Sequence, residues 1–285
     1  MTKHWAVPVC ALVASALLGG CSSTGGGENS APPTKTRVTT TARVEKFPDG
    51  INQKALKRAV ASATKKYGGD AGVAVATRKE VISAGTTTGF PAWSTAKVPI
   101  AIAACQAGTA DPALVEAAIT FSDNDSAQAL WVSLGVAETA VDSTQTVLRE
   151  GGDTVTEVQG KMTKEGFTPF GQTEWGLKQQ AAFAAQLPRL DDADAVIEAM
   201  ETPDPLQDYG LRALPGAAIK GGWGPDDDGF YSVVQLGHVK VDGQELGMAI
   251  FSRPEDGTYE TAQQQLDHLV YELTGEKTDS AAQTS

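Results

Sequence analysis

The sequence predicts a fold of the α/β (α+β) class: one central antiparallel sheet of about five strands, flanked by N- and C-terminal helices, with an inserted all-helical subdomain. Three observations carry this prediction. Short strand-like runs occur towards both ends of the chain, apolar runs of helical character fill the interval between them, and amphipathic helices lie outside both. Because strands from both ends can join one sheet, the helices between them form an insertion.

The first half of the folded region supplies a helix, a hairpin and a buried helix. Residues 51–67 alternate Lys with Ala, Leu and Val at helical spacing and stop at Gly68, which predicts a surface helix. Residues 72–77 and 81–84 are strand-like runs around a polar turn. Residues 98–105 are almost continuously apolar, and their Ala content favours a buried helix over a strand.

The second half supplies further helices and then returns to strands. Residues 127–134 and 179–187 have helical patterns. Gly/Asp turns separate three strand-like runs, which predicts antiparallel pairing: 217–220, 230–241 and 246–251. Residues 258–273 form a closing amphipathic helix.

Composition excludes several classes of protein. The chain has 285 residues, of which 41% are hydrophobic, so it can bury a large core and is not disordered throughout. Three Cys cannot form a disulfide framework, and three His leave no room for a His-rich metal site, so we expect no metal and no cofactor. The net charge of -12 argues against binding to nucleic acid.

The N-terminus has the features of a lipoprotein leader. Residues 1–20 combine an early Lys with an apolar run that is too short to span a bilayer. Leu18-Gly19-Gly20-Cys21 resembles a bacterial lipobox, which implies cleavage before Cys21 and a lipid on its sulfur; the alternative is a plain secretion signal with a nearby Cys. We therefore expect a cell-membrane protein, lipid-anchored through Cys21 on the extracytoplasmic face.

The lipid anchor implies a particular domain organisation. Residues 21–47 are rich in Gly, Pro and Thr and form a predicted flexible tether. The folded domain is predicted to span 48–275, with its helical lobe at about 94–215. Residues 276–285 are a predicted disordered tail.

The first motif with chemical meaning is Ser94-Thr95-Ala96-Lys97. A Ser and a Lys three residues apart lie on one face of a helix, and a Lys of lowered pKa can serve as the base for a nucleophilic Ser. The spacing is weak evidence, because Ser62 and Lys65 repeat it in the first predicted helix. Ser94 differs in its context, since it opens the apolar 98–105 run and is predicted to lie at a helix N-terminus.

Two further short motifs follow in the chain. Ser122-Asp123-Asn124 can be a helix N-cap, because all three residue types cap well. Lys220-Gly221-Gly222-Trp223 can be an ordinary strand end that turns through Gly. Neither motif decides between the structural and the functional interpretation by itself.

The three motifs in this order resemble the signature of the penicillin-recognising serine hydrolases, and of their class A β-lactamase branch in particular. The chain is also similar to a branch of actinobacterial lipoproteins within that superfamily. The resemblance covers about residues 50–275 and implies a β-lactamase/transpeptidase-like fold. It implies Ser94 as the nucleophile and Lys97 as its proton acceptor. It further implies that Ser122 relays the proton to the leaving nitrogen. Lys220 would face Ser122 and the substrate carboxylate.

The same resemblance implies the substrate contacts. Asn124 would hold a substrate amide, and the backbone N–H groups of Ser94 and Trp223 would form the oxyanion hole. Gly221 and Gly222 would border the substrate on the strand. Because two ammonium groups in one dry cleft disfavour each other's charge, we expect a neutral Lys97 beside a charged Lys220.

Three features depart from the class A pattern. Gly221 stands where the family has Thr or Ser, so a hydroxyl that grips a substrate carboxylate is missing. The interval from Ser94 to Ser122 is short. No Glu-x-x-Leu-Asn occurs where the deacylating Glu should lie, and Glu157, Glu165 and Glu174 lack that context.

Two hypotheses about function follow. The first is a membrane-anchored β-lactamase-like serine hydrolase or acyltransferase that forms an acyl-enzyme at Ser94 and deacylates poorly. It would take a small-molecule or peptide substrate in a cleft and act as a monomer. The second is a non-catalytic cell-envelope binding or scaffolding lipoprotein that retains the fold.

Overall fold

A computed structural model describes residues 46–278, which form a five-stranded antiparallel sheet and eight α-helices. The strand order is β2-β1-β5-β4-β3, with every neighbouring pair antiparallel. The strands are β1 (Asp70–Ala76), β2 (Val81–Gly85), β3 (Ala218–Pro225), β4 (Tyr231–Val241) and β5 (Gln244–Arg253). The two N-terminal strands pair with the C-terminal ones through β1 and β5, so the predicted sheet from both ends of the chain is confirmed.

The helices lie outside and between these strands. Helix α1 (Gln53–Tyr67) precedes the sheet and α8 (Tyr259–Thr274) follows it. Six helices occupy the interval between β2 and β3, which confirms the helical insertion: α2 (Lys97–Gln106), α3 (Pro112–Thr120), α4 (Asn124–Ser133), α5 (Ala137–Glu150), α6 (Leu177–Gln186) and α7 (Asp194–Glu201).

Strand β1 shows how the two faces of the sheet are used. Val73 and Val75 belong to the core that includes α1 and α8, whereas Ala74 and Ala76 belong to the core that includes α6. Small residues let α6 lie directly on the sheet, because a Cβ on Gly247 would be 1.9 Å from the Ala181 carbonyl oxygen. The sheet is therefore covered on both faces.

The hairpin between β4 and β5 has the turn that its sequence requires. Asp242 and Gly243 link the strands, with φ angles of 48° and 73°. A two-residue hairpin loop with positive φ at both positions favours Asp-Gly. This turn sets the register that pairs Val241 with Gln244.

The predictions for the chain termini fall largely outside the described residues. The signal sequence at 1–20, the lipidation site Cys21 and nearly all of the 21–47 tether lie before Lys46, and most of the predicted tail lies after Thr278. Within residues 46–278, no helix is both long enough and apolar enough to cross a membrane.

A carboxyl group on α8 provides a test of the fold's stability. Asp267 accepts a hydrogen bond from the Gly210 amide at 2.7 Å, and burial raises its pKa to about 6. Because this pKa is higher in the folded than in the unfolded chain, the group favours folding only at low pH. Its contribution is lost as the pH rises through 6.

Asp267→Asn keeps the acceptor oxygen and stays neutral. We expect the variant to be more stable than the wild type at pH 7.5 by about 1–3 kcal/mol, with a smaller difference at pH 4.5. Urea unfolding at the two pH values measures both quantities. Equal stability of the variant and the wild type at pH 7.5 would contradict the raised pKa of Asp267.

Candidate functional site

Ser94 lies in a strained turn at the entrance to helix α2. Residues Trp93–Ala96 form a 3₁₀ turn that runs directly into α2, so Ser94 precedes the α-helix by three residues. Trp93 has a φ of 50°, a left-handed conformation that non-glycine residues adopt at a cost of about 1–3 kcal/mol. Its indole Nε1 donates to Ser232 Oγ at 3.1 Å, which anchors the turn to β4. The turn leaves Ser94 half-buried between buried neighbours.

Lys97 occupies the first position of α2 and is buried. Its Nζ donates to the Ser122 carbonyl oxygen at 2.5 Å and to Asn124 Oδ1 at 2.8 Å, and lies 3.4 Å from Ser122 Oγ. Burial lowers the pKa of Lys97 to about 8, against the opposing effect of the Asp123 carboxylate. A substantial fraction of Lys97 is therefore neutral slightly above physiological pH, as a general base requires.

Ser122 connects α3 to α4 in a left-handed conformation, with a φ of 57°. The N-cap of α4 is the next residue, Asp123, whose side chain accepts from the Ser126 amide at 2.7 Å. The capping interaction therefore belongs to Asp123, and the Ser122 hydroxyl is available to the site. Asn124 is consequently the first residue of α4 and points its amide at Lys97.

Lys220 reaches the same hydroxyl from the sheet. Its Nζ lies 2.8 Å from Ser122 Oγ, 2.8 Å from the Gly221 carbonyl oxygen and 3.4 Å from Gln207 Oε1. Burial, and secondarily the charge of Lys97, holds the pKa of Lys220 well below its usual range. Burial thus lowers the pKa of both lysines, and the assignment of the neutral form to Lys97 and of the charged form to Lys220 stays a prediction.

The Lys220-Gly221-Gly222-Trp223 motif lies within strand β3, not at a strand end. The prediction of a strand ending at Lys220 was wrong, because β3 continues to Pro225. The glycine at 222 is explained by a close approach: a Cβ there would be 2.7 Å from both the Ala92 carbonyl oxygen and the Ser94 amide nitrogen. The edge strand therefore passes directly against the backbone of the candidate nucleophile.

A cavity of about 600 Å³ opens beside this cluster. Four polar residues from the motifs line it, namely Ser94, Lys97, Ser122 and Asn124, together with Trp223. Lys220, Gly221 and Gly222, which the resemblance placed at the substrate, lie behind the wall and do not line the cavity.

Sequence reasoning missed several cavity residues. Trp93, Phe167 and Tyr231 form aromatic walls, and Gln128 lies one helical turn after Asn124 on α4. The i, i+4 spacing could have suggested Gln128, since both residues lie on one helix face. The aromatic residues come from separate segments and carry no common signal.

The segment 153–173 builds one wall of the cavity, and the amide side chain of Gln172 makes several of the hydrogen bonds that hold it. Gln172 Oε1 accepts from the Thr163 amide at 3.0 Å, and its Nε2 donates to the carbonyl oxygens of Phe167 at 3.1 Å and Thr168 at 3.2 Å. Asp153 closes the base of the segment by accepting from Trp175 Nε1 at 2.9 Å.

The three Glu residues considered for deacylation are not among the residues that line the cavity. Glu157 pairs with Arg149 at 3.0 Å, Glu174 accepts from the Gly89 amide at 3.3 Å, and Glu165 is exposed. Of the described residues that line the cavity, none is Asp or Glu. In residues 46–278, no cluster of three His, Cys, Asp or Glu side chains is arranged to hold a metal ion.

The second Ser-x-x-Lys pair has a different environment. Ser62 lies on α1, with its hydroxyl 2.9 Å from His268 Nε2, and Lys65 is exposed. The same Ser-x-x-Lys spacing therefore occurs here without a buried lysine. Ser62 and Lys65 serve as an internal control for Ser94 and Lys97.

Comparison with known proteins adds independent findings. Residues 53–129, which include Ser94, Lys97, Ser122 and Asn124, match the model of the beta-lactamase enzyme family. The comparison with curated protein sequences found no significant match.

Solved class A β-lactamases share the fold. A variant of the last common ancestor of the class A β-lactamases of Gram-negative bacteria is 20% identical, with a TM-score of 0.60 over 81% of this chain and 98% of its own. The TLA-1 and TLA-3 extended-spectrum β-lactamases are both 11% identical, with TM-scores of 0.62 and 0.61. They cover 79% and 78% of this chain, and 99% and 98% of their own. The chain therefore has the class A β-lactamase fold, and the family-model match over residues 53–129 supports the resemblance to the β-lactamase-like serine hydrolase superfamily.

Proposed function

We propose that the protein is a serine hydrolase or acyltransferase of the β-lactamase type, with Ser94 as the nucleophile. The proposal rests mainly on the position of Ser122 Oγ, which lies between two buried amines, 3.4 Å from Lys97 Nζ and 2.8 Å from Lys220 Nζ. These groups come from α2, the α3–α4 connection and β3, and they meet beside the cavity that Ser94 lines.

The proposed reaction begins with the neutral form of Lys97. Its Nζ turns from Ser122 and Asn124 towards Ser94 and accepts the hydroxyl proton, while Ser94 Oγ bonds to the substrate carbonyl carbon. The negative charge that develops on the carbonyl oxygen is held by the backbone N–H groups of Ser94 and Trp223. Donors of this kind are worth about 3–4 kcal/mol each in a transition state.

Proton return completes the acylation. The bond from the carbonyl carbon to the leaving group breaks, and the leaving atom takes a proton from the Ser122 hydroxyl. Lys97, now an ammonium, replaces that proton across the short gap to Ser122. The product is an acyl ester on Ser94 and a protonated leaving group, with both lysines in their starting states.

Slow deacylation is part of the proposal. Hydrolysis of the ester needs a base for the attacking water, and a carboxylate is absent from the described residues that line the cavity. Lys97 is the remaining candidate for this base. A long-lived acyl-enzyme is therefore expected, and it would transfer its acyl group to a better acceptor than water where one enters the cleft.

The proposal also places the enzyme at a membrane. The Leu18-Gly19-Gly20-Cys21 pattern supports a lipid on Cys21, and the Gly, Pro and Thr content of residues 21–47 supports a tether between the lipid and the domain. The acidic net charge gives the domain no electrostatic attraction to an anionic leaflet, so the lipid would supply the attachment.

Intact-mass measurement with a fluorophosphonate tests the nucleophile. Ser94 Oγ should displace fluoride and give one stable phosphonyl adduct, and Ser94→Ala should give none. Ser62→Ala, which removes the Ser of the other Ser-x-x-Lys pair, should be labelled like the wild type. Absence of an adduct in folded wild-type protein would favour a scaffold, and rapid turnover of a chromogenic cephalosporin would contradict slow deacylation.

A further inference from the structure

Lys220, the cation expected to meet a substrate carboxylate, is sealed inside the protein. It is 1% exposed, and its Nζ is surrounded by three protein oxygens: Ser122 Oγ, the Gly221 carbonyl oxygen and Gln207 Oε1. Gln207 is itself buried and fixed by donating to the Thr120 carbonyl oxygen at 2.9 Å. A substrate carboxylate would have to displace one of these oxygens to reach the amine.

The space beside Gly221 is also filled. A Cβ on Gly221 would be 2.9 Å from the Tyr209 hydroxyl and 3.5 Å from Gln207 Oε1. Tyr209 is buried in the core between the sheet and α8 and packs on Tyr259. A Thr or Ser at residue 221 therefore cannot be accommodated unless Tyr209 moves. The surrounding side chains leave room for glycine at this position.

Among the described residues, one cationic side chain lines the cavity, and a second, Lys164, lies beside its wall over the Phe167 ring. Lys97 is the only Lys, Arg or His among the described residues that line it, and its Nζ is bonded to Ser122 and Asn124. Lys164, on the same segment as the wall, is paired with Asp227 at 3.0 Å and donates to the Pro225 carbonyl oxygen. A carboxylate that entered the cavity would therefore meet the Lys97 ammonium as its counter-charge, and that pairing would stabilise the protonated form and withdraw the neutral amine that acylation of Ser94 requires.

The remaining surface of the cavity suits an apolar group. Trp93 and Phe167 pack together with ring centroids 5.2 Å apart, and Trp223, Tyr231 and Met162 extend this wall. Gln128 and Thr168 add polar groups to the lining, and the aromatic and apolar wall itself suits aromatic or aliphatic groups of a ligand.

We propose that the acyl donor is an uncharged ester or amide with an aromatic or aliphatic substituent, and that the site disfavours donors that carry a carboxylate next to the scissile bond. This inference rests on the proposed acylation of Ser94. It names the substrate class of that site and distinguishes it from a site built around carboxylate recognition.

Two nitrophenyl acetates that differ only in whether a carboxyl group on the ring is free or methylated test the substrate class. The probes are 3-carboxy-4-nitrophenyl acetate and its methyl ester. The rate of the initial burst of nitrophenolate is measured for the wild type, and the rate for Ser94→Ala is subtracted as background. Each rate constant is divided by that for hydroxide, which corrects for intrinsic reactivity. We expect the uncharged probe to acylate Ser94 at least tenfold faster on this scale. Equal rates, or a faster carboxylate, would overturn the inference.

A variant checks the stated cause. Met162 lines the cavity and is 59% exposed, so Met162→Lys should add a cation with little effect on folding, and Met162→Gln is its uncharged control. Met162→Lys should accelerate acylation by the carboxylate probe and so reduce the ratio of the two corrected rate constants several-fold. An unchanged ratio would contradict the charge argument. If neither ester reacts while the fluorophosphonate labels Ser94, the substrate class is wrong and the proposed function stands. If the fluorophosphonate also fails, the proposed function fails.

Discussion

Lys97→Met is expected to slow fluorophosphonate labelling of Ser94 by about 10²–10⁴-fold, the range that a general base contributes. The reason is that the variant removes the proposed base. The buried Lys97 amine is three residues from Ser94 in the chain and lines the same cavity. Second-order labelling rates from intact-mass time courses measure the effect. Lys65→Met, which removes the exposed lysine of the other Ser-x-x-Lys pair, should label at the wild-type rate.

The pH dependence of the wild type provides a test that does not depend on the folding of a variant. The reactive form is the neutral amine, and burial lowers the pKa of Lys97 to about 8. The labelling rate should therefore rise about tenfold per pH unit below 8 and level off above it. At pH 7 about a tenth of the molecules carry the neutral amine. A flat profile between pH 6 and 9 would show that Lys97 is not the base.

Gly222→Ala is expected to reduce labelling of Ser94 by at least about 100-fold, the order of a lost transition-state donor. The added Cβ would lie 2.7 Å from the Ser94 amide nitrogen and the Ala92 carbonyl oxygen, so strand and turn must separate. Overpacking against backbone also destabilises by about 1–3 kcal/mol. Labelling rates and urea unfolding separate the two effects.

The neighbouring glycine supplies the comparison for this variant. In Gly221→Ala the new Cβ meets the end of a side chain, the Tyr209 hydroxyl, at 2.9 Å, and that group can move more easily than backbone. Gly221→Ala should therefore reduce the labelling of Ser94 less than Gly222→Ala does. Wild-type labelling in Gly222→Ala would show that the approach of β3 to Ser94 does not matter for the reaction.

The elements of the fold followed from local pattern. The short apolar runs of β1 and β5, the Asp-Gly turn at 242–243 and the Ala-rich 98–105 run are each recognised from residues within a few positions of one another. The spacing of Ser94 and Lys97 likewise predicted that their side chains lie on one face, and in the structure both line the cavity. The extent of β3 was missed because two consecutive glycines are typical of a turn, whereas here one of them permits contact with a distant segment.

The sequence by itself determined the sheet and its helical insertion, the order of the three motifs and the absence of a hydroxyl at Gly221. Only the tertiary structure decided that Lys220 is sealed by Gln207, that Tyr209 fills the space beside Gly221, and that the cavity wall is aromatic. The physical reason is range. Periodicity and turn chemistry act between residues a few positions apart, while burial, pKa and the shape of a cleft depend on which distant segments the packed core brings together.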